Sequence, residues 1–261
     1  MELNIIYNQD CLIGMQEIPS KSIDCIICDL PYGTTYTKWD VCLPLDELWQ
    51  HYNRIIKRNG AILLFGQEPF SSYIRISNVK DYRYDWYWQK EYITNVFHQK
   101  RRPGKTVETI SVFYKEQCTY NPHLIQRRTN KRGGSGYTEN ESIFIASSRC
   151  ARIKTYQDNG SRYPTQVLSF SRDYNDKFYS VSNITQKPTK LIEYLITTYT
   201  NEGEIVLDNC MGSGTTAIAA MRTKRNFIGF EKNEEMHKIA MDRISQYKDN
   251  TSTVFDLTSF M

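Results

Sequence analysis

Val206-Leu207-Asp208-Asn209-Cys210-Met211-Gly212-Ser213-Gly214-Thr215-Thr216-Ala217 reads as a strand, a tight turn and the first turn of a helix. Gly212-x-Gly214-x-x-Ala217 fits the Gly/Ala form of a nucleotide-binding turn, in which glycines let a ligand approach the main chain and a helix start faces it. A second strand is predicted over Asn226–Phe230, and Glu231 stands at its end, where an acid binds ribose hydroxyls. Strand, glycine turn, helix, strand and acid in that order predict an open, mostly parallel α/β sheet.

Working outward, the apolar run Ile23-Asp24-Cys25-Ile26-Ile27-Cys28 predicts a buried strand over Ser22–Cys28, and Asp29-Leu30-Pro31-Tyr32 follows it. Open α/β sheets carry their chemistry at the carboxyl ends of strands. Here a carboxylate, a main-chain carbonyl restricted by the next proline and an aromatic ring fall within four residues. A planar ring bearing an amine could stack on Tyr32 while Asp29 and the Leu30 carbonyl accept its N–H groups. The glycine turn alone does not separate NAD from S-adenosylmethionine, since both carry an adenosine ribose. The tetrapeptide does, because hydride transfer has no use for an amine acceptor.

The remaining pattern is consistent with that sheet. Strands are predicted over Leu3–Tyr7, Ala61–Phe65, Tyr84–Gln89 and Thr109–Tyr114. Helices are predicted over Cys11–Ile18, Pro44–Asn59 (with Gly60 as its stop), Pro69–Ser77, Pro188–Tyr199 and Thr215–Thr223, and one is capped by Asn233. The stretch 116–182 is rich in Asn, Ser, Arg and Tyr without a sustained period, and is expected to be an inserted, loop-rich module outside the sheet. The expected organisation is a catalytic domain from 1–115 and 183–247, the insertion at 116–182 and a patternless tail at 248–261.

Composition narrows the class. The 261 residues are 40% apolar and 24% charged, ordinary for a globular chain. No apolar run approaches the roughly 20 residues that span a bilayer, and Met1–Asp10 lacks the pattern of a signal peptide. No membrane role and a cytosolic setting are expected. Seven cysteines are expected to be reduced and buried, and Cys25-x-x-Cys28 has no second ligand pair, so no metal site is expected. Residues 98–132 carry nine Lys/Arg against two acids, an excess of +7 within a chain of net charge +4. Lys100, Arg101, Arg102, Lys105, Arg127, Arg128, Lys131 and Arg132 are therefore expected to contact nucleic-acid phosphates.

Taken together, these motifs resemble the S-adenosylmethionine-dependent DNA amino-methyltransferases, which act on adenine N6 or cytosine N4. Asp29-Leu30-Pro31-Tyr32 answers the family's Asp/Ser/Asn-Pro-Pro-Tyr/Phe, and Asp208–Gly214 answers its Asp-x-Phe-x-Gly-x-Gly. Thr185-Gln186-Lys187-Pro188-Thr189 is similar to the element preceding the cofactor loop, and Trp88-Gln89-Lys90 to a Trp-x-Lys strand. The catalytic segment precedes the cofactor loop, the circularly permuted order of the beta class. The resemblance implies a Rossmann-like methyltransferase fold, with residues 116–182 as target-recognition region.

It also implies roles. Asp29, Leu30, Pro31 and Tyr32 form the catalytic element, with Leu30 acting through its carbonyl. Asp208, Cys210, Gly212 and Gly214 line the cofactor, Glu231 takes its ribose, Asp10 faces its adenine, and Thr185 and Lys187 reach its methionine end. Cys210 departs from the usual aromatic. Asp in the first position of the signature favours adenine N6 over the cytosine N4 alternative; a DNA-binding protein with a vestigial site is the weaker rival. The implied partner is double-stranded DNA, with room for a homodimer and a cognate restriction enzyme, in the cytoplasm of a bacterium or encoded by a phage.

Overall fold

The computed structural model describes residues 1–33, 42–94, 96, 99–126, 161–171 and 186–258. They fall into two compact units, Met1–Asn121 with Gln166–Met261, and Pro122–Thr165.

The larger unit is built on one eight-stranded sheet. In chain order it comprises β1 (Ile5–Tyr7), α1 (Cys11–Gly14) running into a 3-10 turn (Met15–Glu17), β2 (Ile23–Cys28), α2 (Leu45–Ile55), β3 (Ile56–Gly66), α3 (Phe70–Ser77), β4 (Tyr82–Gln89) and β5 (Val107–Phe113). After the smaller unit, which contributes β6 (Ile125–Gln126) and β7 (Ser161–Arg162), come β8 (Val167–Ser169), α4 (Thr189–Tyr199), β9 (Ile205–Asp208), α5 (Thr215–Arg222), β10 (Asn226–Phe230) and α6 (Glu234–Thr258). The sheet order is β1-β10-β9-β2-β3-β5-β4-β8. Neighbours pair in parallel except at β5, which runs against both β3 and β4. The smaller unit's β6 and β7 pair antiparallel, Ile125 opposite Arg162.

Both sheet faces are covered, which is why the central strands read as continuous apolar runs. Along β2 and β3, Cys25, Ile27, Ala61, Leu63 and Phe65 face the layer of Leu191, Leu195, Ala217, Ile218 and Ala240 from α4, α5 and α6. The alternating Ile26, Cys28, Ile62 and Leu64 face Met15, Leu48, Trp49, Tyr52, Phe70 and Ile74. Period-2 alternation thus feeds two separate cores.

Four expectations change. α2 ends at Ile55, and Gly60 lies within β3 rather than after a helix. A Cβ at Gly60 would come 2.8 Å from the Asp24 carbonyl, so the glycine admits the close approach of β2 where the pairing slips from Ile23–Ile56 to Cys25–Ala61. β8, inside the expected insertion, joins the main sheet beside β4, Trp88 opposite Leu168. The compact inserted unit is correspondingly narrower than 116–182: Thr119 donates to the Asn59 carbonyl and Asn121 to that of Thr198, fixing 116–121 to the larger unit. The tail from Lys248 continues α6 to Thr258.

Candidate active site

β9 and β2 are adjacent and parallel, with Cys25 opposite Val206 and Ile26 opposite Leu207. From β9 the chain passes through α5 to β10 on one side, and from β2 through α2 to β3 on the other. This is the point where strand order reverses, the place where open α/β sheets bind ligands. It sets Asp208 and Asp29, the residues ending and following these two strands, side by side.

The loop after β9 is held from within. Asp208 is buried; its Oδ1 accepts the Cys210 N–H at 3.0 Å and its Oδ2 the Thr216 hydroxyl at 2.6 Å. Burial pushes its carboxyl up to about 6, against the pull of those two donors. Gly212 and Gly214 have φ of +54° and +82°, a region costly for residues with a Cβ. Gly214 heads α5, and a Cβ there would lie 3.0 Å from that of Ala240.

Glu231 accepts the Gly212 N–H at 2.7 Å and the Asn233 N–H at 2.8 Å, one on each oxygen. Cys210 is half-buried; its sulfur lies 3.7 Å and that of Cys11 3.6 Å from the Asn209 amide nitrogen, whose oxygen accepts the Tyr52 hydroxyl at 2.5 Å. Asp10, after β1, caps α1 by accepting the Leu12 N–H at 2.9 Å and pairs with Lys232 at 3.0 Å. Burial opposes ionisation of Asp10, but Lys232 and the Leu12 N–H prevail and lower its carboxyl.

One residue of this loop's support escaped the sequence reading. Arg243, buried on α6, donates to the Ser213 carbonyl and, at 3.1 Å, to its hydroxyl. Ser213 donates in turn to the Gln186 side-chain oxygen at 3.1 Å. The available signal was Arg243 itself, a cation on the same helical face as Ile239 and Ala240.

Asp29 is bound on both oxygens: the Tyr32 hydroxyl donates to Oδ1 at 2.5 Å and the Lys187 ammonium to Oδ2. Phe70 backs the Tyr32 ring, centroids 5.0 Å apart. Burial, reinforced by Asp29, pushes the Tyr32 phenol up, so it stays a donor. Leu30 is 3% exposed and packs within the α1–α3 core layer; Pro31 is half-buried.

Lys187, expected at the methionine end of a cofactor, pairs with two carboxylates, Asp29 and, at 3.5 Å, Glu108 Oε2. Burial works to lower Lys187, but these two anions outweigh it and raise it. Glu108 also takes Lys90 and, at 2.8 Å, the Gln67 amide, both on Oε1. Burial tends to raise the Glu108 carboxyl, yet Lys187 and Lys90 hold it at about 2.

Lys100, Arg101 and Arg102 are exposed on the β4–β5 connection, while Lys105 turns inward and donates to Gln67 at 3.3 Å. Thr185, Arg127, Arg128, Lys131 and Arg132 lie outside the described residues. No helix among the described residues is long and apolar enough to cross a membrane.

A family model described as "DNA methylase" matches residues 23–242. The Type II methyltransferase M.HindIII of Haemophilus influenzae is 26% identical, the match covering 95% of this chain and 97% of that protein. The DNA adenine methyltransferase YhdJ of Escherichia coli is also 26% identical, over 93% of this chain and 83% of its own. Among solved structures, the M1.HpyAVI–SAM complex superposes with a TM-score of 0.58 at 24% identity, covering 91% of this chain and 98% of that one.

Proposed function

Because the chain belongs to the DNA methylase family, whose members methylate N6 or N4 amines, we propose that it transfers a methyl group from S-adenosylmethionine to adenine N6 in DNA. The observation that carries this reading is the Asp29 carboxylate, aligned from both sides by Tyr32 and Lys187 at the carboxyl end of β2, beside the glycine loop after β9.

The cofactor site fits the group it must hold. Positive φ at Gly212 and Gly214 exposes main chain without side chains, and Glu231, oriented by two N–H groups, keeps lone pairs for a ribose diol. S-adenosylmethionine supplies an electrophilic methyl group on a sulfonium. Asp208 and Arg243 hold the loop that receives it, and Asp10 and Cys210 border the same strand ends.

The chain's task is to position a weak nucleophile. The lone pair of an exocyclic amine is delocalised into its ring. Asp29 and the Leu30 carbonyl accept the two amine hydrogens and favour a pyramidal nitrogen, by orientation and preorganised electrostatics. Lys187 offsets the carboxylate's charge at Oδ2, and Oδ1, which accepts the Tyr32 hydroxyl on one lone pair, keeps the other for the amine. The base leaves the duplex to reach this pocket, where Tyr32, backed by Phe70, stacks on it.

Asp at position 29 and the resemblance to an adenine methyltransferase support adenine. The exposed Lys100, Arg101 and Arg102 support a phosphate track, the basic run of Arg127, Arg128, Lys131 and Arg132 in the sequence supports further phosphate contacts, and target recognition falls to the inserted segment. Resemblance to a Type II methyltransferase supports a cognate restriction enzyme as partner and a cytoplasmic setting; the family resemblance supports a homodimer, which light scattering reads directly.

Asp29→Ala should abolish transfer of labelled methyl to DNA while cofactor binding by calorimetry persists. Retained transfer would overturn the role of Asp29. Mass spectrometry of nucleosides from modified DNA should show N6-methyladenine, whereas N4-methylcytosine would move the substrate to the alternative base.

A further inference from the structure

β5 is the reversed strand of the sheet, so its first residues lie level with the last residues of β3 and β4: Thr109 opposite Gly66, Glu108 opposite Trp88. This brings Glu108, far from Asp29 along the chain, to the catalytic end of the sheet. Its side chain is 6% exposed. Oε1 is taken by Lys90 and Gln67, and Oε2 faces Lys187, which itself bonds Asp29. Four charges, Lys90, Glu108, Lys187 and Asp29, alternate in sign and sum to zero, the first three largely buried and Asp29 partly exposed.

A lysine with four rotatable side-chain bonds does not hold one orientation by itself. Glu108 Oε2, 3.5 Å from the ammonium, is placed to act as a second anchor.

We propose that Glu108 is a positioning residue for methyl transfer: it holds the Lys187 ammonium against Asp29 Oδ2, so that the Oδ1 lone pair not taken by the Tyr32 hydroxyl stays aimed at the amine of the target base. Glu108 touches no reactant and acts through Lys187. The proposal rests on the reading of Asp29 as the amine acceptor, and the test separates the two.

The experiment measures single-turnover methyl transfer to DNA with saturating cofactor, alongside cofactor binding by calorimetry, for Asp29→Ala, Glu108→Gln, Glu108→Asp, Lys187→Met and the Glu108→Gln/Lys187→Met pair. Glu108→Gln should slow transfer about 10²-fold, the scale of a misaligned reacting group, with cofactor affinity unchanged. Glu108→Asp, which keeps the charge, should recover part of the rate and guards against simple misfolding. Since Glu108 acts through Lys187, the double variant should be no slower than Lys187→Met alone.

Rates for Glu108→Gln near that of the unaltered enzyme, losses that multiply in the double variant, or no recovery in Glu108→Asp would each overturn the proposal. Full transfer in Asp29→Ala would overturn the site reading beneath it.

Discussion

Replacing Asp208 with asparagine should stabilise this protein at neutral pH, although Asp208 closes the cofactor loop. The carboxyl is buried, and burial pushes it up to about 6 from an ordinary value of 3.8. The folded state therefore binds the proton more tightly than the unfolded chain. Below about 3.8 both states are protonated and the group contributes nothing. As pH rises through the window up to about 6, the unfolded chain releases its proton first and stability falls; above about 6 the loss is complete. The shift of roughly two pH units corresponds to about 3 kcal/mol.

The substituted amide would carry no charge, its oxygen could still accept the Cys210 N–H, and its nitrogen could donate to the Thr216 hydroxyl in place of accepting from it. At about 2–4 °C per kcal/mol for a chain of this size, Asp208→Asn should melt about 6–12 °C above the unaltered protein at pH 8, and with it at pH 4. Melting curves of both proteins from pH 4 to 8 read the difference directly. Parallel curves across that range, or a gap that widens towards acid, would refute the assignment of a buried, unfavourably ionised carboxylate.

Two further outcomes follow from the site. Leu30→Pro should lower stability by about 1–3 kcal/mol through lost core volume, because the leucine is 3% exposed, yet leave the rate of methyl transfer per folded molecule intact; a folded but inactive variant would show that more than the carbonyl matters there. Changing the exposed Lys100, Arg101 and Arg102 together to Ala should weaken binding to all DNA sequences alike and make the slope of log affinity against log salt shallower by about 2.7; an unchanged slope in fluorescence anisotropy titrations would remove these residues from the phosphate track.

Elements whose neighbours are dictated by their own periodicity were legible in the sequence. β2 and β9 read as buried strands because both faces are covered, and the glycine loop read as a turn because positive φ excludes most other residues. Gly60 misled because glycine after a helical pattern is a common stop signal, whereas its cause lies across the sheet at the Asp24 carbonyl. β8 is three residues long, too short for any period, and exists as a strand because β4 offers it an edge.

The tetrapeptide and Glu231 were legible as local chemistry. The partners of Lys187 were not, because no spacing rule links residues 29, 108 and 187; only the sheet order brings them together. Glu108 counted in the sequence as one of two acids in a basic stretch, and its proximity to Lys187 followed from the reversed direction of one strand.

That reversal has a consequence for how such enzymes diverge. Because β4 arrives at the catalytic rim and β5 departs from it, the connection between them opens on the edge that holds Asp29. Its length and charge can change without disturbing either core layer, since its ends are fixed by the pairing of Gln89 with Val107. One hairpin can thus be exchanged like a tool head, altering the grip on a substrate while Glu108, one residue beyond the joint, keeps the machinery behind it in alignment.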